Sequence, residues 1–442
     1  MPELYDPILV QTLKKDRQFL EETDVPIVTV SASFKEDLKG FQGFPEIESI
    51  PDVVFSRAHY SMAIAIATEL WKSSINPKKA WVVDPTNHVS HDNWSTIVLT
   101  ETIGKTLARN PFLKLLKDFI DKFARQKLPI LDSITPPLLY LTEKIPKNKA
   151  ILSMHIAAGN ILAAQGKKVV QVITDPHVRP EYVDHADLKS MEFCVFDEPT
   201  KLEFLEIAAV RKISADPNRI HVTGPPIDPR IIRARAKKHP WRSGPVKLCI
   251  TTGGLGTNKQ EITKLLDQLL PELRRRQPKF QVLVYASTHL DIHDLVHELA
   301  KKHHVPISNT MDENAKFRLL YHPQIVDANE LLIKFGFPWA HGFITKPSGD
   351  MAYDAAASGS FLLTLPEWGV WEEHIREIFE QKSIARVARI DAIVPQLNVL
   401  MSSAGKSQSW IERAQLNAMR LESLFLNGTK EIVKIISISS KA

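Results

Sequence analysis

The residues best suited to chemistry fall into two groups, one in each half of the chain. In the second half, Lys346-Pro347-Ser348-Gly349 follows a short apolar lead-in, Gly342–Thr345. It precedes Met351, Ala352, Ala355, Ala356 and Ala357, which predict a helix stopping at Gly359. A helix start after a strand leaves backbone N–H groups unpaired and a positive dipole end free to meet an anion. Core packing does not call for Ser348 and Gly349 there, whereas close approach of backbone to a phosphate does. Gly253, Gly254 and Gly256 form another small-residue turn at a predicted strand-to-helix junction. Glycine lets backbone amides reach a diphosphate, and it also serves plain turns. The run is not a Walker loop, since no Gly-Lys-Ser/Thr follows, and it lacks the full dinucleotide-binding spacing.

In the first half, His59 opens the Ala/Leu-rich segment 56–71. An unperturbed imidazole, with a pKa near 6.5, is mostly neutral at cellular pH and suits removal of a hydroxyl proton. A capping or surface histidine is the plain alternative. Thr174-Asp175-Pro176-His177-Val178-Arg179 ends a predicted strand. Asp175 could orient His59, contact an acceptor hydroxyl or cap the next turn. His155 is either a cleft residue or a buried, hydrogen-bonded histidine. His289, His293 and His297 recur every four residues, with His303 and His304 beyond them, and two His at i and i+4 can share a metal. Ile292, Leu295, Val296 and Leu299 form the stripe that would be buried, leaving His293 and His297 on its flank. With no acid or cysteine at HExxH spacing, a solvated helix face is the expectation and no metal is assigned.

These segments resemble the nucleotide-sugar half of GT-B glycosyltransferases. The nearest group holds the monogalactosyldiacylglycerol synthase type, the processive diacylglycerol glucosyltransferases and the enzyme that adds N-acetylglucosamine to the lipid-linked peptidoglycan precursor. In that group a strand ends in Thr-Lys-Pro-Gly-Gly, an acid on the helix takes the ribose diol, and a later Pro-Gly-Gln-Glu loop meets sugar and nucleotide. Here Lys346, Ser348 and Gly349 match the first part and Asp354 the second. Glu372 matches the last acid, with Trp371 in the Gln position. The resemblance implies that these residues, with Asp350, Thr288, His289 and the turn Gly253, Gly254 and Gly256, bind the donor. It also implies that His59 is the catalytic base, although Ser56-Arg57-Ala58 replace the family's glycines before it. Asp175 stands beside it as a catalytic residue. His155, Arg179 and Tyr182 would line the acceptor cleft, Arg179 in the place of a family His and Tyr182 in that of a Trp.

The implied reaction is inverting transfer of a hexose from a UDP-sugar, as co-substrate, to a hydroxyl acceptor, a lipid such as diacylglycerol. No cofactor is expected. No Asp-x-Asp pair is present to place a divalent ion on the diphosphate, so Lys346 and backbone amides would neutralise it. A transferase with a soluble acceptor, a sugar-nucleotide epimerase and a non-catalytic UDP-sugar or membrane-surface binding protein are the alternatives on the same scaffold.

The elements that must hold these residues alternate strand and helix, which predicts parallel α/β layers. Strands are expected at 25–33, 80–84, 150–155, 168–174 and 194–196, then at 246–252, 280–286, 324–326, 342–345 and 361–365. Helices are expected at 56–71, 110–126, 157–165, 198–209, 259–270, 292–303 and 329–335. The helix at 110–126 reads as packed on the sheet or docked on a membrane, with Lys114 and Lys117 on its polar side. The fold expected is α/β of GT-B type: two facing Rossmann-like domains with parallel sheets and a C-terminal bridging helix. An acceptor domain would cover 1–227, a solvated basic linker 228–244 and a nucleotide-sugar domain 245–408. The bridging helix and tail would take 409–442, with the helix itself at 411–425; this crossing back is implied by the resemblance.

The whole-chain numbers agree. At 442 residues two domains are the natural expectation, and 44% hydrophobic with 24% charged residues is ordinary globular composition. Two cysteines, Cys194 and Cys249, exclude a disulfide framework. Lys14, Lys15, Asp16 and Arg17 interrupt any signal-like start, and no apolar run approaches the roughly 20 residues of a spanning helix. A net charge of +5 fits nucleotide phosphates or an anionic membrane face better than nucleic acid. The expected location is cytoplasmic, peripheral at the inner membrane face.

Overall fold

The computed structural model describes residues 7–33, 52–89, 129–367, 369–403 and 408–440. The helix expected at 110–126, with Lys114 and Lys117, lies outside them, as does most of the loop at 34–54. The described residues form two units. One takes 7–33, 53–89, 129–229 and 423–440; the other takes Arg230–Glu422 and Asp52.

The strands of the first unit are β1 (Val25–Val28), β2 (Ala32–Ser33), β3 (Val53–Val54), β4 (Ala80–Val83), β5 (Ile151–Ser153), β6 (Val169–Val172), β7 (Met191–Val195) and β8 (Ile220–Val222). Six of them make a parallel sheet in the order β4-β1-β5-β6-β7-β8, while β2 and β3 pair separately and antiparallel. Strands β1, β5 and β6 are buried along their whole length, as apolar strands covered by helices on both faces must be. The strand expected over 25–33 is therefore two pieces. Asp84 explains the break: its carboxylate accepts from Ser31 N (2.7 Å), Ser31 Oγ (2.9 Å) and Ala32 N (3.0 Å), drawing those residues off the β1 line.

The second unit holds β9 (Val246–Thr251), β10 (Phe280–Ser287), β11 (Phe317–Tyr321), β12 (Gly342–Thr345), β13 (Phe361–Thr364) and β14 (Ala385–Val387). They form one parallel sheet, β11-β10-β9-β12-β13-β14. This is the doubly wound 3-2-1-4-5-6 order, which reverses between its first and fourth strands. Its hydrophobic core runs from Leu248, Val282 and Phe317 on the strands to Leu265, Leu269 and Val296 on the helices over them.

Three expectations fail here. Residues 324–326 are not a strand; they open the helix Ile325–Leu331, and the strand precedes it at Phe317–Tyr321. Ile325 and Val326 read as β-branched strand residues, but Ile325 is buried at a helix start and Val326 stands in solvent. The linker is a solvated connector only in part: Arg233, Lys237 and Arg242 are exposed, but others are not. Residues Pro229–Arg235 are helical, Arg235 donates to the carbonyls of Ala357 (3.1 Å) and Ala418 (2.7 Å), and Lys238 donates to Ala340 O, Ser358 Oγ and Ser360 Oγ. Burial pushes the Lys238 ammonium down to about 7. The bridging helix is not at 411–425: the helix there is Trp410–Ala418, within the second unit. A separate helix, Gly428–Ser439, belongs to the first unit and packs on the helix Arg57–Trp71. Its start is held by Thr429 Oγ1 on Ile227 O (2.6 Å). Only glycine fits at 428, where a Cβ would lie 2.1 Å from Pro225 O.

Candidate functional site

In the first unit the chemistry gathers at the carboxyl ends of β1, β5 and β6, beside the point where strand order reverses between β1 and β5. Open parallel sheets bind ligands at such points. His59 is the third residue of the helix Arg57–Trp71, whose N-cap is Ser56; the Ser56 hydroxyl accepts the His59 backbone N–H at 3.3 Å. Its half-buried ring spans two elements. Nδ1 lies 3.3 Å from Val30 O, and Nε2 lies 3.1 Å from Thr174 Oγ1. A carbonyl only accepts, so Nδ1 carries a proton, and in the neutral ring Nε2 is left as the acceptor facing the threonine hydroxyl.

The His155 ring meets that of His59 edge-on, centroids 5.2 Å apart. His155 Nδ1 is buried without a hydrogen-bond partner. Burial, then the nearby His59 and Arg179 charges, hold the His155 imidazole well below its usual pKa and so neutral. Tyr182 is buried, with Thr174 beside its phenol. Burial raises its phenol, with Arg179 and Asp175 near enough for their charges to bear on it. Thus His59, His155, Asp175, Arg179 and Tyr182 stand together in one unit. The Thr174 hydroxyl, which the sequence reading passed over in favour of Asp175, joins them. Glu203 holds the loop that carries Arg179, accepting Val178 N–H at 2.8 Å and pairing with His177 Nδ1 at 2.8 Å. Nothing in the sequence pointed to Glu203, because its partners lie about a helix and a strand away.

In the second unit the glycine turn after β9 and Lys346 after β12 flank the corresponding reversal. Thr251 and Thr345, the last residues of those strands, share a hydrogen bond of 2.6 Å. The turn closes through Gly256 N–H on Gly253 O at 2.8 Å. A Cβ at Gly253 would stand 2.3 Å from Thr257 Oγ1 and 3.5 Å from Lys346 Cδ, so the turn and the lysine stem need a residue without one. His289 Nε2 donates to Gly254 O at 3.2 Å, bracing the turn from the end of β10. Thr288 beside it is buried. Lys346 Nζ and Glu372 Oε1 are 2.8 Å apart, with 9% and 6% of their side chains exposed. Ser348 Oγ donates to Asp350 Oδ1 at 2.8 Å, and the Met351 N–H reaches Ser348 Oγ at 3.4 Å. Gly349, Asp350 and Asp354 are buried, with Asp354 N–H on Asp350 O. The structure therefore joins Gly253, Gly254, His289, Lys346 and Glu372 in one set, and sets Ser348, Asp350 and Asp354 next to it along the chain.

Among the described residues no group of three or more His, Cys, Asp or Glu is placed to hold a metal ion. His293 and His297 lie ring to ring (4.5 Å), and His293 packs on Tyr321 and pairs with Asp294. No helix of the described residues is long and apolar enough to cross a membrane.

No protein-family model and no curated protein matches this chain in sequence. Solved structures match in shape. UDP-GlcNAc 2-epimerase from Neisseria meningitidis, bound to UDP-GlcNAc, aligns with a TM-score of 0.52 at 12% identity, over 94% of this chain and 99% of that one. Os79 from O. sativa, in complex with UDP, gives 0.51 at 9%, over 93% and 100%. S. aureus MnaA with UDP gives 0.51 at 12%, over 93% and 95%. With the two six-stranded parallel sheets, this likeness defines the fold as GT-B type, two Rossmann-like domains.

Proposed function

We propose that the chain is a UDP-sugar-dependent enzyme that transfers a hexose, with inversion, to an alcohol acceptor. The observation that carries the reading is at His59. A hydroxyl oxygen, Thr174 Oγ1, already lies 3.1 Å from Nε2, while Nδ1 is tethered to Val30 O. An acceptor alcohol in place of that hydroxyl would give its proton to Nε2 as its oxygen bonds to the anomeric carbon. The bond from that carbon to the diphosphate breaks, and UDP leaves with the bonding pair. Lys346 and the backbone N–H groups of the glycine turn would meet the charge that develops, often the largest catalytic contribution. Glu372, now on Lys346, is assigned to the sugar hydroxyls. Asp354 is assigned to the ribose diol. Neutral His155 and the guanidinium of Arg179 would line the acceptor side. A lipid-borne alcohol such as diacylglycerol, reached at the inner membrane face, is the acceptor assigned; its support is the sequence resemblance around Thr174-Asp175.

A second reading, epimerisation of the sugar nucleotide itself, is favoured by the shape likeness to an enzyme whose ligand is UDP-GlcNAc. One experiment separates them. UDP-hexoses and UDP-GlcNAc are screened by thermal shift, then incubated with and without a diacylglycerol dispersion. UDP release that needs the acceptor supports transfer, whereas an epimeric sugar nucleotide without acceptor replaces it with the second reading. The His59→Gln variant should still bind UDP and lose about 10²–10⁴-fold in turnover. Unchanged turnover in it removes His59 as base.

A further inference from the structure

We propose that a groove along the outer edge of the second unit's sheet binds a small phosphate-bearing molecule, separately from the Gly253–Lys346 cluster. This inference stands independently of the catalytic reading. Strand β14 is the last of its sheet and pairs with β13 on one side only. On its free side lies a cavity of about 510 Å³ lined by Arg386, Arg389, Trp410, Gln396, Ser383 and Glu380. That size is within the range of small-molecule sites.

The charges lining it are unbalanced. Glu380, the acid of the groove, is already engaged by Arg376 Nη1 at 2.6 Å. Arg386 and Arg389 are exposed, and neither guanidinium meets a carboxylate among the described residues. The Arg386 guanidinium instead lies 5.5 Å from the centre of the Trp410 ring, which is itself fixed edge-on against Phe361. Two guanidinium forks beside a fixed indole match a phosphate dianion, which accepts paired N–H groups.

A bare sheet edge also invites an added peptide strand. Gln396 argues against that occupant. Its Oε1 accepts Arg389 N–H and its Nε2 donates to Val387 O, both at 2.8 Å, so the side-chain amide fills the outward backbone groups at the end of β14. What remains to bind is the cationic side-chain wall. Phosphate esters in solution and lipid headgroups present the same chemistry, and the test separates them.

Trp410 supplies the readout. In fluorotryptophan-labelled full-length protein, with the Trp410→Phe variant assigning its resonance, inorganic pyrophosphate should move the Trp410 signal saturably. The Arg386→Gln/Arg389→Gln variant, altered only at exposed side chains, should bind about 100-fold more weakly, roughly tenfold for each guanidinium. The Lys346→Met/Glu372→Met variant, which leaves no unpaired charge at that pair, should keep the shift. Sedimentation with phosphatidic acid vesicles that the Arg386→Gln/Arg389→Gln variant loses, without a shift by free pyrophosphate, assigns the lipid source. The proposal is overturned if neither probe responds, if the Arg386→Gln/Arg389→Gln variant responds like the parent, or if Lys346→Met/Glu372→Met, still folded by circular dichroism, loses the shift.

Discussion

Lys346 and Glu372 face each other almost without water, so removing one leaves the other in a medium that solvates charge poorly. Lys346→Met should destabilise the fold by about 3–5 kcal/mol, and Lys346→Met/Glu372→Met by distinctly less, in urea denaturation. Equal losses would show that the two charges are not coupled. His341 makes a second prediction. Its Nδ1 accepts the Lys247 backbone N–H at 3.1 Å, and burial, followed by the Lys247 and Lys238 charges, pushes its imidazole down to about 3. Above the unfolded value of 6.5 neither state binds the proton. As pH falls from 6.5 towards 3 the unfolded chain takes it up and the folded chain does not, so stability is lost through that window. Near pH 5, unfolding of the parent should take up about one proton more than that of His341→Gln, read from the slope of stability against pH. At this scale the sequence showed residue types but not partners. His59 stood out as a residue type suited to moving a proton; the Val30 carbonyl beside its ring did not, because a backbone carbonyl leaves no mark on composition.

Elements were legible where their signals are local. Ser409 and Glu412 have capping-box spacing, and the Ser409 hydroxyl does accept the Glu412 N–H at 3.2 Å. The glycine turn after β9 was equally visible, and the structure adds what its first residue must avoid. Gly253→Ala would press a methyl against Thr257 Oγ1, so it should cost about 1–3 kcal/mol in thermal or urea unfolding and weaken UDP binding. Gly253→Ala/Thr257→Ala, which opens the space, should recover most of the stability. Elements were illegible where distant partners decide. Arg235 and Lys238 looked like solvated charge because their acceptors, Ala357, Ala418, Ala340 and Ser360, are roughly a hundred or more positions away. Strand β14 has three residues, two of them exposed, which is too little pattern to see.

At the scale of the molecule, alternation of strand and helix was enough to indicate two parallel sheets, and their strand orders place both reversal points where the chemically suited residues lie. The membership of the last twenty residues was less visible, since the sequence there offers only one more amphipathic helix. Residues 423–440 complete the first unit, with Ile432 and Ile436 fully buried. Truncation after Glu422 should therefore lower the melting temperature of the first unit by several degrees or more while leaving UDP-induced stabilisation of the second in place. Calorimetry with and without UDP reads both, and an unchanged first transition would contradict the assignment.

The same return of the chain has a consequence for biosynthesis. The earlier part of the first unit leaves the ribosome with the face of the helix Arg57–Trp71 that Gly428–Ser439 covers still bare, because that segment is translated only after the second unit. The second unit, one stretch from Arg230 to Glu422 apart from Asp52 among the described residues, can close its core as it emerges. Completion thus runs against the order of synthesis: the unit begun first is closed only after the second has been made.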